Sequence, residues 1–231
     1  MLFWGDWTFI LLIPALIMAM YYQYKVTSTF KKYHQVANSR GMTGAQMAET
    51  LLKMHGIQDV VVEPTSGMLS DHYDPSSKRV RLSEDNYNGR SISAVTVAAH
   101  EVGHAIQHNT GYAPVTLRGA IFPIANLGTT LAFPLFFIGL IFQSGMSVMF
   151  MNLGILLFAG AVLFHLVTLP VEFDASRRAL RVLNDNQLLL PDEMPYAKKV
   201  LHAAAMTYVA ATLMAVLNLL RLLLIRSQYD D

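Results

Sequence analysis

Eighteen consecutive residues without a charge, WTFILLIPALIMAMYYQY at 7–24, constrain the fold of this chain more than any other feature. At about 1.5 Å of rise per helical residue, such a run is long enough to cross a hydrocarbon core of about 30 Å. It closes on a cluster of tyrosines and is followed by Lys25, Lys31 and Lys32. A cleaved signal peptide carries basic residues before its apolar run and small residues at its end. This segment has neither, so it reads as a signal anchor with its basic side in the cytoplasm. The composition agrees, because 53% apolar and only 14% charged residues are unusual for a soluble protein.

Two more apolar runs follow at about 118–142 and 146–169, the first carrying Pro123 and Pro134, and the short QSGMS joins them. So short a join makes them an antiparallel hairpin of membrane helices. A fourth run, at about 200–225, has Arg221 inside it and reads as a transmembrane or membrane-associated helix. Of the seventeen Lys and Arg residues, all but Arg221 and Arg226 fall between the first and second runs, counting Arg118 at the edge of the second, or between the third and fourth. By the positive-inside rule both polar regions face the cytoplasm, with the amino terminus and QSGMS outside. The net charge is +1 and no basic run is interleaved with aromatics, so nucleic acid is not expected as a partner. With no cysteine, disulfides are excluded and a metal would have to be held by His, Asp or Glu.

Between the first two runs the residues look like those of a folded globular region. TGAQMAETLLKMHG opens with the capping-box pair Thr43 and Gln46 and closes on Gly56, which predicts a short amphipathic helix. IQDVVVEP predicts a strand. MLSDHYDPSSKRVRLS predicts two alternating arms joined by a hairpin-like turn at Asp74-Pro75-Ser76-Ser77. A helix from about 91 to 109 follows, with Ser91 or Ser93 as its cap and Gly111 just past its end. The expected fold is mainly α, an integral membrane protein of about four transmembrane helices, with an α+β region containing a small sheet.

Within that last helix, His100-Glu101-Val102-Gly103-His104 matches H-E-x-x-H. Residues four apart lie one turn apart and only about 40° round the axis, so two imidazoles can converge on one zinc ion at about 2.0 to 2.1 Å each. Glu101, about 100° round from His100, stands beside the ligands in the general-base position of metalloproteases. Val97, Ala98, Val102, Ala105 and Ile106 make the helix one that buries, and burying two histidines and a glutamate without partners costs several kcal/mol. A metal accounts for them better than chance polar groups do. Gly103 costs about 1 kcal/mol relative to alanine, so it either admits a close neighbour or is tolerated without purpose. His108 lies about 12 Å along the axis from His100, too far to share an ion, and reads as a surface histidine or a partner of a ligand.

Without cysteine, the third ligand has to come from the remaining acidic or histidine residues. Glu172 leads: in LPVEFDASRRALRVL, Pro170 is placed to begin a helix and Glu172 falls in its first turn. A helix-start glutamate acting on the dipole is the alternative. Asp174 is about 200° round from Glu172, so it reads as structural or as a group bonded to a ligand. Tyr208, in the last apolar run, is either a donor to the oxyanion of a tetrahedral intermediate or an interfacial tyrosine. His72 reads as a surface histidine near a turn, and Arg118, Asn126 and Arg221 as helix anchors.

Together AAHEVGHAIQH, SDHYDP, VEFDASRRAL and AAAMTYVAATLMAVLNLL resemble the YugP-like neutral zinc metallopeptidases of bacterial membranes. The similarity runs over nearly the whole chain and is strongest in the first and third motifs. More distantly the chain is similar to membrane gluzincins of the HtpX and prenyl-protease type, in which H-E-x-x-H is followed at a distance by E-[FY]-x-A-D. The resemblance implies one catalytic Zn2+ held by His100, His104 and Glu172, with Glu101 as catalytic base, in a zincin, gluzincin-like region. It also implies a multi-pass place in the bacterial plasma membrane. The chain departs from the wider pattern at Ser176, where that pattern has an aspartate. If the aspartate orients a ligand histidine, a serine does so more weakly.

The expected organisation is an anchor (1–24), a catalytic region with the H-E-x-x-H helix (25–117), a two-helix membrane hairpin (118–169), a cytoplasmic segment with the third-ligand helix (170–199) and a final helix (200–231). Glu172 follows the third run by three residues, and His104 precedes the second by about fourteen, which puts the zinc near the cytoplasmic membrane face. The predicted function is a zinc-dependent endopeptidase acting on membrane or membrane-proximal proteins and peptides, with the lipid bilayer as its setting. The MLSDHYDP arm offers an edge strand for an extended peptide, unless the protein covers that edge itself. The alternative is a catalytically silent membrane scaffold, with or without metal. Glu101 argues against it, because a purely structural zinc site needs no base. A metal transporter would want polar ligands at mid-membrane depth, and the runs hold almost none. Cleavage preference, oligomeric state and any regulatory membrane partner are not written in the sequence.

Overall fold

The computed structural model describes residues 7–67, 70–142 and 146–228. The amino-terminal six residues, the first two of the MLSDHYDP arm, residues 143–145 of the QSGMS join and the last three residues lie outside that set, along with the expectations placed on them. In chain order the elements are α1 (Ile13–His34), α2 (Gly44–Met54), β1 (Val61–Thr65), β2 (His72–Asp74), β3 (Arg79–Ser83), α3 (Glu84–Asn88), α4 (Ile92–Asn109), α5 (Ala113–Ile141), α6 (Ser147–Asp185) and α7 (Met194–Ser227). The chain is mostly helical. Among the described residues, four helices are long and apolar enough to cross a membrane: α1 with the 3-10 turn Trp7–Leu12 before it, α5, α6 and α7.

The prolines do not break these helices. Pro123 and Pro134 lie inside α5, and Pro170 lies inside α6. The expectation that Pro170 begins a new helix is therefore corrected, because the third apolar helix runs straight through it to Asp185. Proline removes one N–H and its bond to the carbonyl four residues back, a loss that long apolar helices accommodate through neighbouring groups. Glu172 thus sits well inside a helix rather than at its start, and the helix-dipole explanation for it lapses.

The chain forms two units. The first comprises Met1–Tyr21, Leu117–Leu169 and Tyr208–Asp231. Its core includes Phe136, Met151, Phe158 and Leu222. Here α5 and α6 meet closely: a β-carbon on Gly128 would stand 2.2 Å from the Leu157 carbonyl oxygen, and one on Gly154 would stand 2.6 Å from that of Ala132. Small residues at such crossings are what lets apolar helices gain packing contacts where lipid is already apolar. Arg221 lies over the Phe9 ring and donates from Nε to Thr8 Oγ1 at 3.2 Å, and Arg118 lies over Phe164, so both act within this unit as anchors.

The second unit comprises Tyr22–Thr116 and Pro170–Thr207. The capping box on α2 forms as its sequence requires, with Gln46 N donating to Thr43 Oγ1 and Thr43 N to the Gln46 side chain. The sheet has the order β1-β3-β2, with β1 parallel and β2 antiparallel to the central β3. Alternation along β3 sends Val80 and Leu82 inward, where both are fully buried, and leaves Arg79 and Arg81 on the other face to pair with Glu63. Val80, Leu82, Met47, Leu51, Val95, Val102, Leu183 and Leu201 share one core around α4. Ser91 caps α4 by accepting from Ala94 N at 3.1 Å, while Ser93 instead donates to the Phe30 carbonyl at 2.9 Å.

Candidate metal centre

Three side chains of the second unit converge. His100 and His104, one turn apart on α4, and Glu172 on α6 each present a ligand atom, and these atoms all lie within 4.8 Å of one another. Glu172 Oε2 stands 3.4 Å from His100 Nε2 and 3.5 Å from His104 Nε2. The two imidazoles are nearly perpendicular, with centroids 4.8 Å apart. Glu172 is only 3% exposed, so its charge has little water to answer it.

The spacing fits a zinc ion. Donors at about 2.0 to 2.1 Å around a tetrahedral zinc lie about 3.3 Å from each other, close to the two separations found. A charge-assisted hydrogen bond from imidazolium to carboxylate would draw the same atoms to about 2.7 to 2.9 Å. The donor chemistry fits as well, since two imidazoles and one carboxylate leave a fourth position open, as catalytic rather than structural zinc sites do.

Gly103 is what allows this approach. A β-carbon there would stand 2.7 Å from the Ala175 carbonyl oxygen, so α4 and α6 touch backbone to backbone between the two histidines' turn and the turn after Glu172. Of the two readings left open by the sequence, the close neighbour is the one found.

Glu101 is buried beside this ring, at 7% exposed. Burial pushes its carboxyl above the ordinary value, His100 and His104 oppose that, and the negative charges of Glu172 and Asp71 add to it. For His104, burial works against the proton, but contact with Glu172 and the nearby Glu101 outweighs it and raises the imidazole above its usual value. A cation held there would compete with the proton for one electron-rich cluster.

Bonds around the ring distinguish its two histidines. His100 Nδ1 meets Ser176 Oγ at 3.3 Å. His104 Nδ1 meets Gln107 Oε1 at 3.0 Å, and Gln107 Nε2 donates to the Val171 carbonyl at 2.8 Å and to Asp174 Oδ2 at 2.9 Å. Asp174 lies outside the ring, as its angle on the helix requires, and is held by Arg178 Nε at 2.6 Å. Gln107 is the residue that sequence reasoning passed over. Its signal was an amide three residues after His104, on the buried side of an apolar helix.

His108 and His72 are not among the three converging residues. His108 is exposed and pairs with the Tyr73 hydroxyl at 3.2 Å, and His72 is exposed beside Ser70 and Arg81. Tyr208 belongs to the first unit, in α7, and its carbonyl accepts from Thr212 Oγ1 at 2.8 Å.

Residues 8–227 match the family described as "Putative neutral zinc metallopeptidase". A curated protein of Bacillus subtilis (strain 168), "Putative membrane protease YugP", is 47% identical over 215 residues, covering 93% of this chain and 94% of that protein. No solved structure matches.

Proposed function

The chain belongs to the neutral zinc metallopeptidase family whose model it matches, and from that premise we propose that it is a zinc-dependent endopeptidase acting at the cytoplasmic face of a bacterial plasma membrane. The observation that carries the reading is the convergence of His100, His104 and Glu172 at zinc-edge spacing, with a buried Glu101 beside them. His100, His104 and Glu172 would hold one zinc ion in a gluzincin-like arrangement, with α4 and the small sheet as its zincin-like frame. When bound, zinc supplies a Lewis acid that polarises a peptide carbonyl and makes water more acidic. Glu101 takes a proton from the attacking water and passes it to the departing amine nitrogen. Its raised proton affinity suits a group that must both accept and release a proton.

The substrate class proposed is a membrane protein, or an extended peptide close to the bilayer. Glu172 follows Leu169, the last residue of its stretch of the apolar unit, by three positions, which supports a site near the membrane surface. The basic residues of the polar regions support the cytoplasmic side. In the sheet β2 is an edge strand, one to which an extended peptide can add. Tyr208 as an oxyanion donor stays part of this proposal, resting on its residue type alone.

The test uses full-length protein reconstituted in liposomes with a fluorogenic peptide tethered to the bilayer. Cleavage is expected to vanish with chelator, to return with zinc, and to be lost in Glu101→Gln while its zinc content stays at the parent level. Cleavage by Glu101→Gln at the parent rate would overturn the mechanism.

A further inference from the structure

The amide of Gln107 can be oriented only one way. Both groups facing its Nε2, the Val171 carbonyl and Asp174 Oδ2, are acceptors, so Nε2 must point at them and Oε1 must point at His104. Asp174 is itself fixed by Arg178, whose guanidinium lies over the Tyr112 ring. Gln107 is fully buried, so no water substitutes for these partners. A carbonyl-type oxygen at 3.0 Å from His104 Nδ1 requires that nitrogen to donate. In the neutral ring this leaves Nε2 with its lone pair, directed at the same place as Glu172 Oε2. His100 has no such constraint, because the Ser176 hydroxyl on its Nδ1 can either donate or accept.

We propose that Gln107 is a positioning residue for the metal centre: it fixes the ring proton of His104 on Nδ1, so that Nε2 faces the ion, and ties His104 to the turn of α6 that carries Glu172. One side chain thus registers two ligands from different helices against each other, through Val171 beside Glu172 and Asp174 two residues beyond it. The inference rests on the zinc reading of the ring. Groups that orient a ligand histidine through its other nitrogen commonly contribute about 10- to 100-fold to metal affinity.

Two variants of the full-length protein separate this role from simple packing. Gln107→Met keeps length and helix preference but offers no acceptor, whereas Gln107→Glu keeps an acceptor toward His104 and loses both donors toward α6. Zinc affinity is measured by competition with a chromophoric chelator, ligand geometry by the visible spectrum of the cobalt-substituted protein, and folding by the thermal midpoint of the metal-free form. Gln107→Met is expected to bind zinc about 10- to 100-fold more weakly with an altered cobalt spectrum. Gln107→Glu is expected to melt lower and to bind zinc more weakly than the parent but clearly more tightly than Gln107→Met, because the acceptor that sets the tautomer remains while the tie to α6 is lost. A packing role predicts the opposite order, with affinity following the thermal midpoint. Parent-like affinity and spectrum in Gln107→Met, or a loss in Gln107→Glu as large as the Met variant's, would overturn the proposal. If the Met variant does not fold, the Glu variant decides alone, and a loss of about 10- to 100-fold in it would overturn the proposal. A parent that takes up neither zinc nor cobalt removes the metal reading and this inference with it. A parent that binds both, alongside two variants that bind equally well, removes only the role of Gln107.

Discussion

Gly103 and Ala175 bring two helices to within backbone contact: a β-carbon on the first would stand 2.7 Å from the carbonyl oxygen of the second. Because the opposing atom belongs to a helix backbone, it cannot swing aside as a flexible side chain would. Gly103→Ala gains up to about 1 kcal/mol of helix preference, but forcing apart a packed contact costs about 1 to 3 kcal/mol. The variant is expected to melt lower and to bind zinc less tightly, since α6 carries Glu172 and must move with Ala175. Differential scanning fluorimetry and zinc titration read the two effects. A variant as stable and as well metallated as the parent would show that the close approach matters to neither.

Glu172 is the α6 member of the proposed ligand ring, so its removal tests the ring more directly. An apparent folding contribution of about 10 to 16 kcal/mol for a fully ligated structural zinc, shared over four donors, gives about 3 kcal/mol per donor, or roughly 100-fold in affinity. Glu172→Gln keeps the size of the side chain and is expected to lose zinc by about that factor, with the fold retained by circular dichroism. Full zinc retention in the dialysed variant would send the third-ligand role to another group.

His100 Nδ1 meets the Ser176 hydroxyl at 3.3 Å. A carboxylate at that place would accept a stronger bond from Nδ1 and raise the basicity of the ring. Ser176→Asp is therefore expected to tighten zinc binding severalfold, and Ser176→Ala to weaken it by less than the loss of Gln107 does. Chelator competition on the two variants gives the order directly, and a weaker-binding Asp variant would contradict it.

Much of this arrangement could be read from residue spacing, and what could not has a physical reason. The histidines of α4 were legible because helical geometry alone puts positions 100 and 104 on one side of the axis. The capping box of α2 was legible for a similar local reason. Pro170 misled because the local rule reads proline as a helix start, whereas a long apolar helix tolerates it inside. The parallel pairing of β1 with β3 had no local signature, since register between separated strands is set by the core they share. The partners of Gln107 were not legible for the same reason: Val171 and Asp174 lie more than sixty residues further along the chain, and no spacing rule connects them.

The cluster also sets a pH dependence whose sign can be worked out. Burial raises the Glu101 carboxyl, and the net effect of Glu172 and Glu101 raises the His104 imidazole above its usual value of 6.5. Groups with raised values keep their protons to higher pH, so below those values the metal-free cluster is protonated where a ligand nitrogen and a free base are needed. Zinc must then displace a proton from His104, and its apparent affinity falls as pH falls through the raised value. Zinc binding is accordingly expected to release at least about one proton near neutral pH, seen calorimetrically as a heat that varies with the ionisation enthalpy of the buffer. Glu101→Gln removes one of the charges that hold the proton on His104, so its zinc affinity is expected to weaken less steeply on acidification than the parent's. Identical pH slopes for the two proteins would mean that Glu101 and His104 do not share a proton-coupled cluster.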